Sequence, residues 1–430
     1  MSRQTGTAVM RAKQLGRVLM LAENNSYPKD PRVRKEAQAL ISAGYLVTVI
    51  SPAETKQRFW EVIDRVNVYR FPAPPQASGT LSYLVEYAYS MVAIFVLTFW
   101  IFIRHGFDII HAANPPDTLV LIAAFYKLFG KRFVFDHHDL APEMYCARFP
   151  HGARTWIYIT LLWCERLSCR LADHVLAVNE SYKAIEMSRD GVDDASVTVV
   201  RNGPELSSIW TSWPDRALRA QASVIIAYAG IIGIQDGVDC LLRALRHLIG
   251  TLSKTDILCV IIGDGDALPD LRRQAKDLAL DKYILFTGWV ANPRRYASYL
   301  ATADICVDPS PSNPYNDRCT AIKMMEYMAA VKPIVAFDLP EHRITAGSAA
   351  VYARPNDALE FARAIAELMK DATRRHTMGA IGRRRVEERL AWNYSAGRLL
   401  EAYRNLLSTP SRKGFRLTAT SDITHLGHLQ

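Results

Sequence analysis

The stretch RVLMLAENNSYPKDPRVRKEAQALISAGYLVTVIS, residues 17–51, decides the fold. It opens at 17–25 with an apolar run that is typical of a buried strand, and residues 30–44 follow as an amphipathic helix. Asp30 suits the helix N-cap, Pro31 the first turn and Gly44 the end. The apolar run at 45–51 is the next strand. Strand, helix and strand in this order predict a βαβ unit and therefore a parallel sheet.

The same alternation continues along the chain in two series separated by a mixed segment. Polar residues stand where the strands end, which is where doubly wound sheets bind ligands. We therefore predict an α/β protein of two Rossmann-like, doubly wound parallel-sheet domains that face each other across a crevice. The predicted parts are an N-terminal domain at 1–205 with a returning helix at about 390–408, a linker at 206–222, a C-terminal domain at 223–390 and a loose tail at 409–430.

Composition excludes several classes of protein. The chain has 430 residues, 50% hydrophobic and 22% charged, which excludes a mostly disordered, collagen-like or disulfide-stapled chain. Its net charge of +9 is spread evenly and favours anions such as nucleotide phosphates or acidic lipid, without a run that indicates nucleic acid. Seven scattered cysteines without a C-x-x-C pair, and no apolar leader in the first residues, predict a cytoplasmic protein.

The segment LVEYAYSMVAIFVLTFWIFI, residues 84–103, does not fit a soluble pattern. Its uncharged run from Tyr87 to Ile103 reaches the lower limit for spanning a bilayer. Three alternatives stay open: a membrane span, a helix on the inner face of the cell membrane as a peripheral contact, or a helix buried in the N-terminal core. A span would separate two elements of one predicted sheet.

Two polar clusters at strand ends invite a metal interpretation. At 136–139 the residues are Asp-His-His-Asp, but neighbours on a strand point to opposite faces and cannot all converge on one ion. We expect His138 to face the crevice. In VIIGDGD the Asp264–Asp266 pair is a weak metal pattern, and we interpret Gly263 and Gly265 as a tight turn that lets a ligand approach closely. No metal site is predicted.

The most informative stretch for function is NDRCTAIKMMEYMAAVKPIVAFD, residues 316–338. Thr320, Lys323 and Glu326 are spaced along one helical face. Thr320 suits the cap of this helix, whose free N–H groups would hold a diphosphate, and Lys323 adds a positive charge. Glu326, one turn deeper, can accept hydrogen bonds from sugar hydroxyls. A simple surface Lys–Glu pair is the alternative.

An ordered set of motifs resembles the family 4 (group 1) glycosyltransferases of the GT-B fold, over residues 17 to about 405. The motifs, in chain order, are ENNSYPKDPRVRKEA, HAANPPD, FDHHDLAPE, VVRNGP, YAGIIGIQDGVDCLLRAL, VIIGDGD and KMMEYMAAVKPIVAF. The resemblance implies transfer of a sugar from a UDP- or GDP-sugar with retention of configuration and without an essential metal or other cofactor. The segment 84–103 and the basic charge suggest a lipid-linked or surface-polysaccharide acceptor.

The resemblance also implies roles for single residues. It places His138, Lys323 and Glu326 in the catalytic centre, and Asn25, Asn114 and Asp139 on the acceptor side. The implied donor-binding set is Gly230, Gly233, Arg201, Asn202, Gly263, Gly265, Gly288, Val290, Arg318, Thr320, Lys323 and Glu326.

The chain departs from the family pattern at three positions. The first of two glutamates that usually bracket the donor site falls on Arg318, and the usual phosphate-binding Arg and Lys fall on Ile231 and Asp236. Lys323, Thr320 and Arg318 are the candidates to replace that charge. Two alternatives follow: a non-catalytic GT-B scaffold that lost its chemistry, and a sugar-nucleotide 2-epimerase whose acid–base groups would be Asp117, Asp139 and Glu143.

Overall fold

The computed structural model describes residues 15–73, 80–149, 153–206 and 212–408. Its first unit is β1 (Arg17–Leu21), α1 (Pro31–Ser42) and β2 (Leu46–Pro52), with β1 and β2 parallel. Asp30 caps α1 by accepting hydrogen bonds from the backbone N–H groups of Arg32 and Val33. Gly44, which follows α1, has a φ of 99°, a conformation that glycine adopts without strain. The predicted βαβ unit is confirmed.

Six more strands extend this unit into the N-terminal sheet. They are β3 (Trp60–Ile63), β4 (Val66–Phe71), β5 (Ile109–Ala113), β6 (Arg132–His137), β7 (His174–Ala177) and β8 (Val197–Val199). The strand order is β3-β4-β2-β1-β5-β6-β7-β8, and all neighbours are parallel except β3 and β4. The hairpin of β3 and β4 at the edge of the sheet was not predicted, because β3 (WEVI) has only four residues and is too short to stand out.

Five helices flank the sheet between these strands. They are α2 (Thr80–Arg104), α3 (Val120–Lys127), α4 (Ala141–Arg148), α5 (Thr155–Leu171) and α6 (Glu180–Ser188). Helix α2 packs Ile94 and Ile101 into the core but exposes most of its other apolar side chains. Only 22% of its apolar window is buried, which does not fit the alternative of a helix buried in the N-terminal core. The membrane span and the peripheral membrane contact both stay predictions.

The C-terminal domain is a second parallel sheet with strand order β11-β10-β9-β12-β13-β14. Its strands are β9 (Val224–Ala229), β10 (Ile257–Ile262), β11 (Ile284–Gly288), β12 (Ile305–Asp308), β13 (Ile334–Phe337) and β14 (Ala350–Ala353). Its helices are α7 (Arg216–Arg219), α8 (Val238–Gly250), α9 (Leu268–Asp277), α10 (Pro293–Thr302), α11 (Ile322–Ala329), α12 (Pro340–Ala346), α13 (Ala358–Lys370) and α14 (Ala372–Arg385). Two Rossmann-like domains are thus present as predicted, although α7 lies inside the predicted linker.

The chain returns to the N-terminal domain at its end. Helix α15 (Trp392–Ser408) buries Leu399, Tyr403 and Leu406 in the same hydrophobic cluster as Val18 and Met20 of β1. The chain therefore crosses between the domains twice, near Gly203 and near Leu390. The tail predicted at 409–430 lies outside the described residues.

Candidate functional site

The loop after β9 and the turn after β10 pack directly on each other. A Cβ atom on Gly263 would lie 1.9 Å from the carbonyl oxygen of Gly230, and one on Gly265 would lie 2.5 Å from that of Ile232. Both glycines have a positive φ. We predicted that these glycines admit a ligand, but in this structure the backbone of the neighbouring loop occupies the space. The loop 230–233 is therefore fixed by backbone contact with the turn 263–265.

Lys323 lies on α11 below that loop, with 13% of its side chain exposed. Its Nζ is 3.2 Å from both Asp236 Oδ1 and the Tyr228 hydroxyl, and 3.9 Å from Asp308 Oδ1. Burial by itself lowers the pKa of Lys323, but the carboxylates of Asp308 and Asp236 raise it well above its usual value. The lysine is therefore charged, and Asp236, at the position of a usual family lysine, has become its partner.

Glu326 lies one turn further along α11 and is held by the next helix. Its Oε2 accepts a hydrogen bond of 2.6 Å from the hydroxyl of Tyr296 on α10. Burial raises the pKa of Glu326, and the hydrogen bond from Tyr296 opposes that shift. The other carboxylate oxygen is left to accept from a ligand.

The start of α11 differs from the prediction. The N-cap is Ala321 and makes no side-chain capping bond, so Thr320 does not cap the helix. Thr320 Oγ1 accepts from Asn179 of the N-terminal domain at 2.9 Å and lies 3.4 Å from Glu341 Oε2. The first-turn N–H groups thus remain without a side-chain cap, which leaves the anion-binding end of the helix open.

The guanidinium of Arg318 is engaged within its own loop. Its Nη1 donates to the carbonyl of Pro314 in its own loop, at 2.6 Å. Its backbone carbonyl accepts from Asn179. Arg318 therefore stabilises the loop, and the prediction that it faces the phosphates is not supported by its contacts.

The two adjacent histidines at the end of β6 face different surroundings. His137 is fully buried, and its Nδ1 lies 2.9 Å from Glu186 Oε1. His138 keeps 16% of its side chain exposed, and its Nδ1 lies 3.3 Å from Asp136 Oδ2. Burial lowers the pKa of His138, but Asp136 more than compensates and raises it. His138 is therefore the histidine available to the crevice.

The predicted acceptor-side residues differ in how far their side chains are already engaged by hydrogen bonds. Asn25 is exposed in the loop after β1. Asn114, by contrast, is buried and uses its whole amide: it donates to Asp117 Oδ1 and the Asp139 carbonyl and accepts from the backbone N–H groups of His138 and Asp139. It shapes the loop behind His138 and is not free to bind an acceptor, which corrects the prediction. Asp139 Oδ1 accepts from Tyr315 across the crevice at 2.9 Å.

The remaining donor-side residues lie at or after the ends of β8, β9 and β11. Asn202 Oδ1 accepts from Arg32, and Arg201 Nη1 lies 3.7 Å from Glu341 Oε2. Gly288 and Val290 follow β11, where a Cβ atom on Gly288 would meet open space. Gly233 donates its N–H to Asp236, and Gly230 lies against Lys323, whose Cε would be 3.1 Å from an added Cβ atom.

The carboxylates needed for an epimerase are not free. Asp117 is buried against Asn114, and Glu143 is buried in an ion pair with Arg189 at 2.5 Å. Asp139, as described, accepts from Tyr315. Groups tied up in this way are poorly placed to exchange protons with a substrate, which weakens the epimerase alternative.

One group of three side chains among the described residues has the spacing of metal ligands: Glu36, His111 and Asp136. All three are fully buried. The guanidinium of Arg32 already bridges this group, with Nη2 at 2.5 Å from Asp136 Oδ1 and 3.2 Å from Glu36 Oε1. The position of a cation is thus taken by the arginine.

A cavity of about 630 Å³ opens beside the crevice, between α8, α9 and the loops that precede them. Its lining includes Gly233, Asp239, Arg243, Asp266 and Gln274. Of the predicted donor-binding residues Gly233 lines it, whereas Lys323, Glu326 and His138 do not, so the cavity adjoins the predicted donor site at the loop after β9.

Sequence reasoning missed the residues that hold the site together. Tyr296, Asp308, Asn179 and Tyr315 each contact a predicted site residue from a distant part of the chain. Asp308 carried a signal, since it ends a buried strand. Asn179 carried the same signal, since it ends the strand predicted at 172–179, whereas Tyr296 and Tyr315 carried none.

Comparisons with known proteins agree on the family. The family model "Glycosyl transferase 4-like domain" matches residues 30–203, and "Glycosyl transferases group 1" matches residues 223–371. Alpha-monoglucosyldiacylglycerol synthase of Streptococcus pneumoniae is 30% identical over 122 residues, covering 25% of this chain and 26% of that one. The chain spans between 26% and 52% of the length of the curated relatives it matches.

Solved structures show the fold. Sucrose-phosphate synthase of Thermosynechococcus elongatus superposes with a TM-score of 0.74 at 18% identity, covering 91% of this chain and 98% of that one. The Anabaena protein HepE in complex with UDP-glucose gives a TM-score of 0.69 at 17% identity, covering 91% and 100%. Both neighbours are GT-B proteins, and the predicted GT-B fold is confirmed.

Proposed function

The chain belongs to the group 1 glycosyltransferases, and from that premise we propose that it transfers a sugar from a UDP- or GDP-sugar to an acceptor. The observation that carries the proposal is the charged, buried Lys323 beside the uncapped start of α11. A site of this kind binds a diphosphate and stabilises the charge that develops as it leaves. The structural neighbour HepE, solved in complex with UDP-glucose, supports the donor class.

The proposed roles follow from the contacts. Lys323 and the N–H groups of α11 neutralise the leaving diphosphate, so the reaction needs no metal in this scheme. Glu326, oriented by Tyr296, accepts hydrogen bonds from the ribose hydroxyls. His138 donates from the opposite wall to the sugar. We propose retention of configuration, which NMR of the anomeric proton in the first product tests directly.

Binding of the diphosphate must change one contact of Lys323. Asp236 lies 3.2 Å from Lys323 Nζ, and a carboxylate there repels a diphosphate. The short 3-10 turn that carries Asp236 (Ile234–Asp236) is anchored through Gly233 N–H to Asp236 Oδ2. We propose that Asp236 swings away while Asp308, fully buried at the end of β12, keeps the lysine in place.

We propose a lipid-linked or surface-polysaccharide acceptor and a peripheral contact of the protein with the cytoplasmic face of the membrane. Within the described residues, one helix is apolar and long enough to cross a membrane, at Val85–Arg104, and only 22% of its apolar window is buried. Its exposed side chains include Val85, Val92, Val96, Phe99, Trp100 and Ile103. Arg104 and Lys131 lie over the rings of Trp100 and Phe102, where they suit anionic headgroups.

The experiment is a thermal-shift panel with UDP, GDP and ADP on the wild type, Glu326→Ala and the control Glu360→Ala. Glu360 lies in the first turn of α13, away from the crevice. One nucleotide at a hundredfold excess over its Kd should stabilise the wild type and Glu360→Ala by roughly 2.7 kcal/mol, and Glu326→Ala by less. If no nucleotide stabilises the wild type, the non-catalytic scaffold becomes the better interpretation.

A further inference from the structure

One of the contacts between the two domains is made by the loop of residues 313–321, which leads into α11; we call it the donor loop. Separate contacts join Ser181 and Arg201 to Glu341. Tyr315 donates to Asp139, and the Cys319 sulfur lies 3.2 Å from the Tyr182 hydroxyl. Arg318 and Thr320 both contact Asn179. The loop that carries the start of the proposed diphosphate site is therefore bound to the opposite domain.

Asn179 serves both domains with one amide group and is fully buried. Its Oδ1 accepts from the backbone N–H of Tyr182 at 2.8 Å and so caps α6. Its Nδ2 donates to the Arg318 carbonyl at 2.7 Å and to Thr320 Oγ1 at 2.9 Å. Because the cap fixes the oxygen, the amide nitrogen must point at the donor loop.

We propose that Asn179 is a positioning residue of the donor site: it holds the donor loop against the N-terminal domain and thereby sets the start of α11. The proposal rests on the function proposed above. Thr320 stands immediately before the N-cap Ala321, and Lys323 and Glu326 follow within the first two turns. Releasing Thr320 frees the end of α11 that would face the diphosphate.

The physical consequence is a coupling between domain contact and donor affinity. A nucleotide that needs the ordered loop binds only the fraction of molecules in which the loop is docked, so its apparent Kd rises as that fraction falls. Loss of two hydrogen bonds to the loop should raise the Kd of the nucleoside diphosphate about tenfold.

The variant Asn179→Asp separates the two tasks of this amide. Aspartate caps a helix as well as asparagine does, so α6 keeps its cap. The carboxylate has no N–H to donate, and it faces the Arg318 carbonyl with a second acceptor. The matched control is Asn292→Asp, which makes the same exchange at the exposed N-cap of α10, where Oδ1 accepts from Arg294 N and Arg295 N.

Two readouts apply to each variant. Hydrogen–deuterium exchange of residues 313–321 needs no nucleotide, and we expect it to accelerate in Asn179→Asp and to stay at the wild-type rate in Asn292→Asp. The Kd of the nucleoside diphosphate identified by the thermal-shift panel should rise about tenfold in Asn179→Asp only. Wild-type exchange in the donor loop of Asn179→Asp, or a Kd within twofold of the wild type, overturns the proposal.

A second variant tests the same contact from the other domain. Thr320→Val keeps the branched shape and removes the hydroxyl, and it serves if Asn179→Asp fails to fold. In the double variant the effects on exchange should be less than additive, because both changes remove the hydrogen bond between Asn179 and Thr320. Fully additive effects overturn the proposal. If the wild type binds no nucleotide, the proposed function fails, and the exchange experiment still decides whether Asn179 holds the loop.

Discussion

Single buried side chains in this protein are held by partners distant in sequence. Lys323 depends on Asp236 and Asp308, and Glu326 depends on Tyr296. In each case a charged or hydroxyl group contacts a carboxylate in surroundings from which water is largely excluded. Such groups are costly to bury alone, which is why loss of one partner affects the other.

Asp117 is a buried carboxyl whose ionisation should destabilise the fold. Burial raises its pKa from 3.8 to about 7, and its Oδ2 has no hydrogen-bond partner. Because the pKa is higher in the folded state, the stability that the neutral acid contributes is full below pH 4 and is lost as pH rises through 7. Asp117→Asn imitates the neutral acid and should therefore melt higher than the wild type at pH 8 and equally at pH 4.

Melting temperatures at pH 4, 6 and 8 check this prediction. The control is Asp266→Asn, at a carboxylate that is 90% exposed, for which the difference from the wild type should not grow with pH. A difference for Asp117→Asn that is the same at every pH would show that the carboxyl stays charged or neutral throughout.

Which residues form the site could be predicted from the sequence better than the contacts they make. His138, Lys323 and Glu326 were singled out from their positions at a strand end and on one helical face. The cap by Thr320 was wrong, because Asn179 of the other domain draws that hydroxyl away. The prediction that Arg318 faces the phosphates was not supported either, because its guanidinium donates a hydrogen bond to its own loop. Contacts between distant segments leave no periodic signal in a sequence.

Among the elements, α2 has the least usual surface. It anchors to the domain through aromatic contacts such as Phe95–Phe125 and Phe102–Tyr126, while Val92 and Ile103 are more than half exposed. Single exposed apolar side chains are common on protein surfaces. A contiguous row of them on one helix indicates an interaction surface.

We predict that Val92→Asn, Val96→Asn and Ile103→Asn together weaken binding to vesicles that contain anionic lipid. Each replaced side chain removes apolar area worth about 25 cal/mol per Å² from the membrane contact. Vesicle co-sedimentation at low and high salt measures the effect. The control Ile344→Asn with Ile381→Asn alters exposed apolar residues of the C-terminal domain. Equal binding by both variants, or no wild-type binding, contradicts a membrane role for α2.

Local signals explain which elements could be predicted. The unit of β1, α1 and β2 was found because Asp30, Pro31 and Gly44 mark the helix ends and the strands are apolar. For 84–103 the sequence predicted a helix but left three environments open, since an apolar run has the same composition in a core and at a membrane. The β3–β4 hairpin was missed because β3 is short and its two-residue turn, Asp64-Arg65, lacks the glycine that usually marks such a turn.

In the whole molecule, the two chain crossings between the domains lie against each other. A Cβ atom on Gly203 would be 1.9 Å from the carbonyl oxygen of Leu390, and Trp392 N–H donates to the Pro204 carbonyl at 2.9 Å. The crossings therefore pack backbone on backbone, which only glycine permits at this position.

Gly203→Ala should force the crossings apart and destabilise the protein by about 1–3 kcal/mol, the range typical of overpacking. Chemical denaturation measures the change. The matched control is Gly397→Ala in α15, where an added Cβ atom meets no atom within 4 Å and alanine should stabilise the helix by about 0.5–1 kcal/mol. Equal effects of the two substitutions would contradict the close crossing.

The whole architecture could be predicted from sequence to a large extent, because alternating strands and helices allow few topologies. Two parallel sheets and the GT-B arrangement follow from that alternation and from the ordered motifs. The relation between the domains could not be predicted, since it depends on contacts between distant segments. These contacts join Tyr315 to Asp139, Asn179 to Arg318 and Tyr182 to Cys319.

The most direct test of the account is calorimetric titration of UDP and GDP into the wild type, Lys323→Met and Lys332→Met. Lys332 follows the same helix, but its Nζ donates to the carbonyl of Ala301, away from the crevice. We predict that one nucleoside diphosphate binds the wild type and Lys332→Met alike, and binds Lys323→Met at least about tenfold more weakly. Equal affinity for Lys323→Met and the wild type would contradict a diphosphate site at the start of α11.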